Sequence, residues 1–242
     1  MPILGQTLAK LESFYGELAP GAPTEPYLFL IWWHCGYPPS EERCSRGFES
    51  LGREVGVTPA RLLAATSARL ARVLRAGGLV PELRASRLKV IARSVRDDYA
   101  GDLDRALRHL APADSRAALR KFPGIGDPGA DRILLFAGIA PVAAIPSASP
   151  HVLVRIASGR EPDRYTATYA QAQRILTTDA GNDFASLTRA YLLLQRHGRS
   201  LCKRSHPRCS TCPVADTCAY FAATARPPGA RRRRPPTRRA PA

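Results

Sequence analysis

Four cysteines lie within a short stretch near the C-terminal end of the chain, at Cys202, Cys209, Cys212 and Cys218. A tight loop can turn four thiolates inward around one metal centre. A structural zinc site normally uses two CxxC or CxxH pairs separated by a longer span, whereas this stretch has one CxxC with a single cysteine on each side. The spacing therefore predicts a metal centre and fits a zinc site poorly. The other two cysteines, Cys35 and Cys44, are distant in sequence, and we expect them to be buried free thiols.

A second motif, Pro123-Gly124-Ile125-Gly126, could contact an anion. The sequence around it predicts a short helix that ends near Phe122, a turn, and a second helix with Asp127 as N-cap and Pro128 at the first helical position. The two glycines let the backbone approach a phosphate closely, and the positive end of the second helix binds it without reading sequence. By itself the motif is weak, because helix-turn-helix loops use similar glycines for packing only.

Together, the cysteine stretch and the glycine turn about 76 residues upstream resemble the endonuclease III-like family of helix-hairpin-helix (HhH-GPD) DNA glycosylases. The flanking residues carry the same resemblance: Leu119, Ala130, Ile133 and Leu134 around the turn, and His197-Gly198-Arg199, Pro207-Arg208 and Tyr220 around the cysteines. The resemblance covers most of residues 1–222.

The resemblance implies a cofactor and a partner. The cofactor is a [4Fe-4S] cluster with the four clustered cysteines as its ligands, and the partner is double-stranded DNA. The implied DNA contacts are made by Gly124, Ile125 and Gly126 in the turn and by Lys203, Arg204 and Arg208 between the first cysteines. The family hydrolyses the glycosidic bond of a base flipped out of the stack.

The chain reads as successive helices, so the predicted fold class is all-α. Helical spacing of apolar residues is visible in 59–75 and again in 183–197. The resemblance implies a two-domain fold, with a six-helix barrel domain at 24–143 and an iron–sulfur cluster domain at 1–23 and 144–225. We expect the protein to be a monomer.

The residues that carry the family's chemistry are absent. Bifunctional members place a Schiff-base lysine two residues after the last hairpin glycine, where this chain has Pro128. Lys121 precedes the hairpin, where a helix dipole partner is its expected role. Members also place an aspartate after the hairpin, but the corresponding stretch 141–159 contains no Asp or Glu. Depending on the alignment, that aspartate maps to Ile145 or Pro146, or to Ser149.

Other polar residues near these positions are weak substitutes. Ser147, Ser149 and His151 are candidates, but neutral hydroxyls stabilise a cation poorly, and we expect each to be a polar loop residue. For Asp127 and Asp131, helix capping and helix-surface roles suit the sequence better than catalysis.

A third departure lies near residue 37, where the family has a glutamine-rich segment that fills the gap left by the flipped base. This chain has Tyr37-Pro38-Pro39 there. Trp32, Trp33 and Tyr37 could stack on a base, although core packing is the commoner role of tryptophan.

Composition supports a polyanionic partner. The formal charge is +16 and the pI near 10.4, and removing the arginine-rich tail at 226–242, predicted to be disordered, still leaves about +9 because the tail holds seven arginines. No apolar run approaches the ~20 residues of a membrane span, and the N-terminus is unlike a secretion signal. We expect a cytoplasmic, nucleoid-associated protein that does not bind membranes.

Two functions follow. The first is a DNA-binding iron–sulfur protein that recognises damaged or mispaired bases without cutting the glycosidic bond. The alternative is a working monofunctional glycosylase with a non-standard active site. Lyase activity at abasic sites is unexpected under both.

Overall fold

The computed structural model describes residues 3–224, and within this range the chain forms thirteen α-helices and no β-strand. In chain order they are α1 (Ile3–Tyr15), α2 (Pro26–His34), α3 (Glu41–Glu54), α4 (Pro59–Ala64), α5 (Ser67–Leu74), α6 (Pro81–Asp98), α7 (Leu103–Arg108), α8 (Pro112–Leu119), α9 (Asp127–Phe136), α10 (Pro150–Ser158), α11 (Tyr165–Ala180), α12 (Phe184–Ser200) and α13 (Ala219–Thr224). The all-α fold class is confirmed. The tail at 226–242 lies outside the described residues.

The periodic stretch 59–75 forms two helices instead of one. Ala65 is extended, with ψ of 142°, and the side chain of Thr66 accepts a hydrogen bond from the backbone N–H of Arg69. That side-chain cap satisfies an N–H group left free at the start of α5, so a break in the helix at this point costs little free energy. The stretch 183–197 extends to Ser200 as α12, with Asp183 as its N-cap.

The apolar side chains form two separate cores. One contains buried residues from Ala22 to Ala140, and the other combines the α1 leucines with residues from Leu135 to Val214. Helix α9 contributes to both, since Ile133 and Leu134 belong to the first core and Leu135 to the second. The two cores support the domain division 24–143 and 1–23 with 144–225, which we retain as a proposal.

A buried arginine fixes the region behind α2. Arg84 is only 2% exposed and donates hydrogen bonds to the carbonyls of Cys35, Leu74, Gly78 and Leu79 at 2.7–2.9 Å. These bonds tie the turn at Gly77-Gly78 to the end of α2. No helix in the described part of the chain is long and apolar enough to cross a membrane.

Candidate functional site

The glycine turn joins α8 to α9 and leaves the start of α9 without a side-chain cap among the described residues. The prediction that Asp127 is the N-cap and Pro128 the first helical residue is wrong by one position, because Gly126 is the N-cap and Asp127 begins the helix. The Asp127 carboxylate lies 3.1 Å from the guanidinium of Arg120 instead of over the helix end. The first N–H groups of α9 therefore remain available to an anion.

The turn is held against α2 by a buried histidine. His34 Nε2 lies 2.8 Å from the carbonyl oxygen of Pro123, and burial lowers the pKa of His34 to about 4. The ring is therefore neutral near pH 7, and its Nε2–H donates to that carbonyl. Gly124 has a φ of +67° and is exposed, whereas the side chain of Ile125 is buried in the first core. Of the predicted DNA contacts in the turn, Ile125 can offer only its backbone.

A cleft opens beside the turn, bounded by α2, the start of α3, the stretch 146–149 and one face of α12. We call it the hairpin cleft. Its apolar wall contains Trp32 and Trp33, and its polar wall contains Tyr191, Gln195 and Arg199, which recur every four residues along α12. Trp32 is buried and donates from Nε1 to Ser45 Oγ at 3.2 Å, so core packing is confirmed for Trp32. Tyr37 is exposed.

The hairpin cleft contains a carboxylate that the sequence reasoning missed. Glu41, the first residue of α3, lines the cleft and is paired with the guanidinium of Arg199 on α12. It comes from far upstream of the stretch 141–159, so a search by family position could not find it. The only signal in the sequence was a helix start, Ser40-Glu41-Glu42, directly after the prolines at 38–39.

A buried cation lies in the same cleft. Arg132 on α9 is 9% exposed, and its guanidinium carbon lies 4.1 Å from the ring centroid of Phe29 and 4.6 Å from that of Phe136. Burial lowers the pKa of Arg132. The burial of this arginine could not be predicted from the residues of α9 alone, where Arg132 stands between Asp131 and a run of apolar residues.

Asp131 faces away from the cleft, and the prediction that it is a helix-surface residue is wrong. It is 2% exposed and accepts two hydrogen bonds from Arg116, at 2.6 and 3.0 Å. The Tyr169 hydroxyl and the Gln173 amide donate to the same carboxylate. This fully bonded carboxylate joins α8, α9 and α11.

The positions at which the family has its lysine and aspartate hold no residue that could replace them. Pro128 lines the cleft but has no amine, and Lys121 is exposed outside it. Ser147 and Ser149 line the cleft, and Ser149 is buried against Gly198. His151, expected in a loop, is instead buried in α10.

His151 and Arg155 support the cysteine loop, which we define as residues 202–218. His151 Nε2 lies 2.7 Å from the carbonyl oxygen of Cys202. Arg155, which is also buried, donates to the carbonyls of Lys203 and Arg204 at 2.9 Å. These contacts fix the backbone of the loop on α10.

The four clustered cysteines line one small apolar cavity, together with Val214 and Ile156. None forms a disulfide. Burial and the neighbouring cysteines raise the pKa of Cys202 to about 11, although the positive charge of Arg155 opposes this shift. Across the described residues, no three His, Cys, Asp or Glu side chains converge on the position of one metal ion. Cys35 and Cys44 are buried free thiols, as predicted.

The residues of this loop fit a cluster in two respects. Four thiols line one small cavity, and Arg155 Nε is a buried donor with no hydrogen-bond partner in the described part of the chain. Sulfur atoms of an anionic cluster accept hydrogen bonds, so such a donor suits them. Lys203, Arg204 and Arg208 are all exposed on the outside of the loop.

Comparisons with known proteins agree with this architecture. No family model matches the chain. The chain is 26% identical over 170 residues to endonuclease III of Treponema pallidum (strain Nichols), which covers 68% of this chain and 70% of that protein.

Solved structures match over almost the whole chain. A trapped endonuclease III–DNA covalent intermediate matches with a TM-score of 0.72 at 19% identity, over 93% of this chain and 100% of the other. A thermostable thymine-DNA glycosylase matches with a TM-score of 0.67 at 16% identity, over 91% of this chain and 97% of the other. The chain therefore has the helix-hairpin-helix glycosylase fold, and about two thirds of its sequence is similar to endonuclease III.

Proposed function

We propose that this protein is a DNA-binding iron–sulfur protein that recognises damaged or mispaired bases in duplex DNA and lacks the family's lyase chemistry. The observation that carries the proposal is the pairing of an uncapped α9 N-terminus with a cleft in which Pro128 stands at the lysine position. The first feature binds a phosphate, and the second removes the nucleophile.

DNA binding rests on backbone and charge together. The N–H groups at the start of α9 and the exposed Gly124 offer a phosphate site that is independent of sequence. Exposed Lys203, Arg204 and Arg208 add positive charge, as does the chain's net charge of +16. Electrophoretic titration of a duplex tests this proposal. Binding that weakens steeply with salt supports it, and no binding at low salt refutes it.

The cluster proposal rests on the small cavity that is lined by Cys202, Cys209, Cys212 and Cys218. When bound, a [4Fe-4S] cluster would crosslink the loop and hold its basic residues in place. The chain's own contribution is the support from Arg155 and His151. Anaerobically purified protein should be brown, absorb near 400 nm as family members do, and contain about four irons per chain. Stoichiometric zinc without iron would overturn the proposal.

Glu41 favours a second candidate, a weak monofunctional glycosylase. In such an enzyme a carboxylate stabilises the positive charge that develops at the sugar carbon or activates water. Glu41 lines the hairpin cleft, but its pairing with Arg199 reduces the negative charge it can offer. The pair must separate, or share its charge with the substrate, for Glu41 to act.

The matched variants Glu41→Gln and Glu42→Gln test this second candidate. Glu42 is the next residue and an exposed surface partner of Arg46 outside the cleft. If Glu41 is catalytic, Glu41→Gln should lower abasic-site formation by a factor of about 10² or more, and Glu42→Gln should not. Equal activity of both variants would remove Glu41 from the chemistry.

A monomeric state and a location with chromosomal DNA complete the proposal. Size-exclusion chromatography with light scattering tests the first, and co-purification with nucleoids tests the second. The same DNA-binding role is expected if the domain division at 143–144 is correct, because the hairpin cleft lies between the two cores.

A further inference from the structure

Arg132 is a buried cation without a carboxylate partner in the described part of the chain. Its guanidinium lies between the rings of Phe29 and Phe136, and its carbon atom is 5.9 Å from the ring centroid of Tyr191. One terminal nitrogen, Nη1, is buried and has no hydrogen-bond partner among the described residues. A buried donor without a partner destabilises the fold, so its presence requires an explanation.

Arg84, the other buried arginine described above, differs from Arg132 in its hydrogen bonds. Arg84 is also buried, but its three guanidinium nitrogens all donate to backbone carbonyls. Arg132 makes no such bonds and lines the hairpin cleft, whereas Arg84 does not. The hydrogen bonds of Arg84 therefore hold the backbone around it, whereas Nη1 of Arg132 remains free to bind a ligand.

The surroundings of Arg132 suit a flat ligand. Phe29 and Trp33 stack with ring centroids 6.2 Å apart and both line the cleft, and Gln195 adds a polar group from α12. Aromatic walls bind the faces of a planar ring, and an arginine binds an oxygen acceptor at its edge. A nucleobase with a carbonyl group has both features.

We propose that Arg132 recognises a carbonyl oxygen of a nucleobase inserted into the hairpin cleft. This inference rests on the proposed DNA-binding function and defines its substrate class. Neutral bases with a carbonyl group are selected. Bases made cationic by alkylation are disfavoured, because the cleft has two guanidinium groups, Arg132 and Arg199, against the one carboxylate of Glu41.

A phosphate is a poorer ligand for this residue. The positive end of α9 already offers an exposed phosphate site, whereas Arg132 lies between aromatic rings at 9% exposure. The two cases differ in their consequences. A phosphate contact would contribute equally to every duplex, and a base contact would contribute only to the recognised base.

The first test uses the unaltered protein and two duplexes that differ by one carbonyl group. One contains hypoxanthine and the other unsubstituted purine, opposite the same base. The purine pairs less well and is easier to flip, so a preference for hypoxanthine cannot come from pairing strength. We expect the hypoxanthine duplex to bind about tenfold more tightly, as for one hydrogen bond to a charged group. Equal binding would overturn the inference.

Charge is tested with 7-methylguanine and 7-methyl-7-deazaguanine, which share the carbonyl group and the methyl group and differ in charge. We expect the cationic base to bind several-fold more weakly. Tighter binding of 7-methylguanine would contradict the inference.

The second test compares Arg132→Met with Arg174→Met, an exposed arginine on α11 away from the cleft. Arg132→Met should abolish the preference for hypoxanthine and leave binding of undamaged duplex unchanged, and Arg132→Lys should restore part of the preference. Thermal unfolding of each variant shows whether it is folded. An equal loss on all duplexes would assign Arg132 to phosphate binding, and an unchanged preference would assign it to packing alone. Both results overturn base recognition but leave DNA binding intact, whereas the absence of all DNA binding would refute the proposed function as well.

Discussion

The cysteine loop and the hairpin cleft differ in how far they follow the family pattern. The loop has all four cysteines at the family spacing, and buried Arg155 and His151 fix its backbone. The cleft has Pro128 at the lysine position and no acid in the stretch 141–159, and it contains Arg132 and Glu41 instead. The loop therefore keeps the residues of the family pattern, while the cleft departs from it. This difference is the basis for separating recognition from catalysis.

Helix α9 carries two charged residues in different environments. On one side, Asp131 is bonded to Arg116, Tyr169 and Gln173. On the other, Arg132 lies between aromatic rings with a donor unused. These two consecutive residues have opposite charges, and their side chains lie on different sides of the helix.

The largest effect is expected from removing a proposed cluster ligand. Cys212→Ala should yield little soluble protein and little iron, because metal binding and folding of such a loop are coupled. Cys44→Ala is the control, since Cys44 is a buried free thiol in the first core and its loss should cost only about 1–2 kcal/mol of unfolding free energy. Iron content and denaturant unfolding measure both. Normal iron and stability in Cys212→Ala would show that the loop holds no cluster.

The next effect concerns the bonded side of α9. Asp131→Asn should lower the unfolding free energy by about 2–3 kcal/mol, because three neighbouring groups lose a charged acceptor while Arg116 can still reach water. Asp127→Asn, whose ion pairs are exposed, should cost less than about 1 kcal/mol. Chemical denaturation measures both. A larger loss of unfolding free energy in Asp127→Asn than in Asp131→Asn would show that the hydrogen bonds of Asp131 do not stabilise the fold.

Alanine substitutions of the two turn glycines should have different effects, because the two positions differ in backbone conformation and in the space around a Cβ atom. Gly124→Ala should destabilise the protein by about 1 kcal/mol, because φ of +67° is unfavourable for alanine and the new Cβ would lie 3.2 Å from His34. Gly126→Ala should be milder, since its φ is −99° and its Cβ would meet only Pro128 at 3.8 Å. Thermal unfolding and DNA titration measure the two effects. Equal losses at both positions would contradict the turn geometry.

Deleting residues 226–242 should have the smallest effect on the folded part. The deletion removes seven arginines, so the log–log slope of affinity against salt should become shallower by several units. Residual salt-dependent binding by the hairpin and the cysteine loop should remain. Complete loss of binding would move the main DNA site to the tail.

The helical class, the hairpin turn and the cysteine loop could be predicted from the sequence, because each depends on local residue types. Glycine and proline mark turns, and cysteine spacing is read directly from the chain. Three features could not be predicted, because each depends on contacts between distant helices. They are the helix break at Ala65, the burial of Asp131 and the position of Glu41 in the cleft. Arg132 was missed for the same reason, since only Phe29 and Phe136 reveal its environment.

The most direct test of the central claim is a single-turnover assay with protein in excess over a panel of lesion-bearing duplexes, with binding, base excision and borohydride trapping measured on the same samples. Because Pro128 supplies no amine and residues 141–159 no carboxylate, we expect tight binding, no borohydride-trapped complex, and base excision that is absent or slower than that of active relatives by a factor of about 10² to 10³. A trapped covalent complex, or excision at the rate of active relatives, would contradict the account.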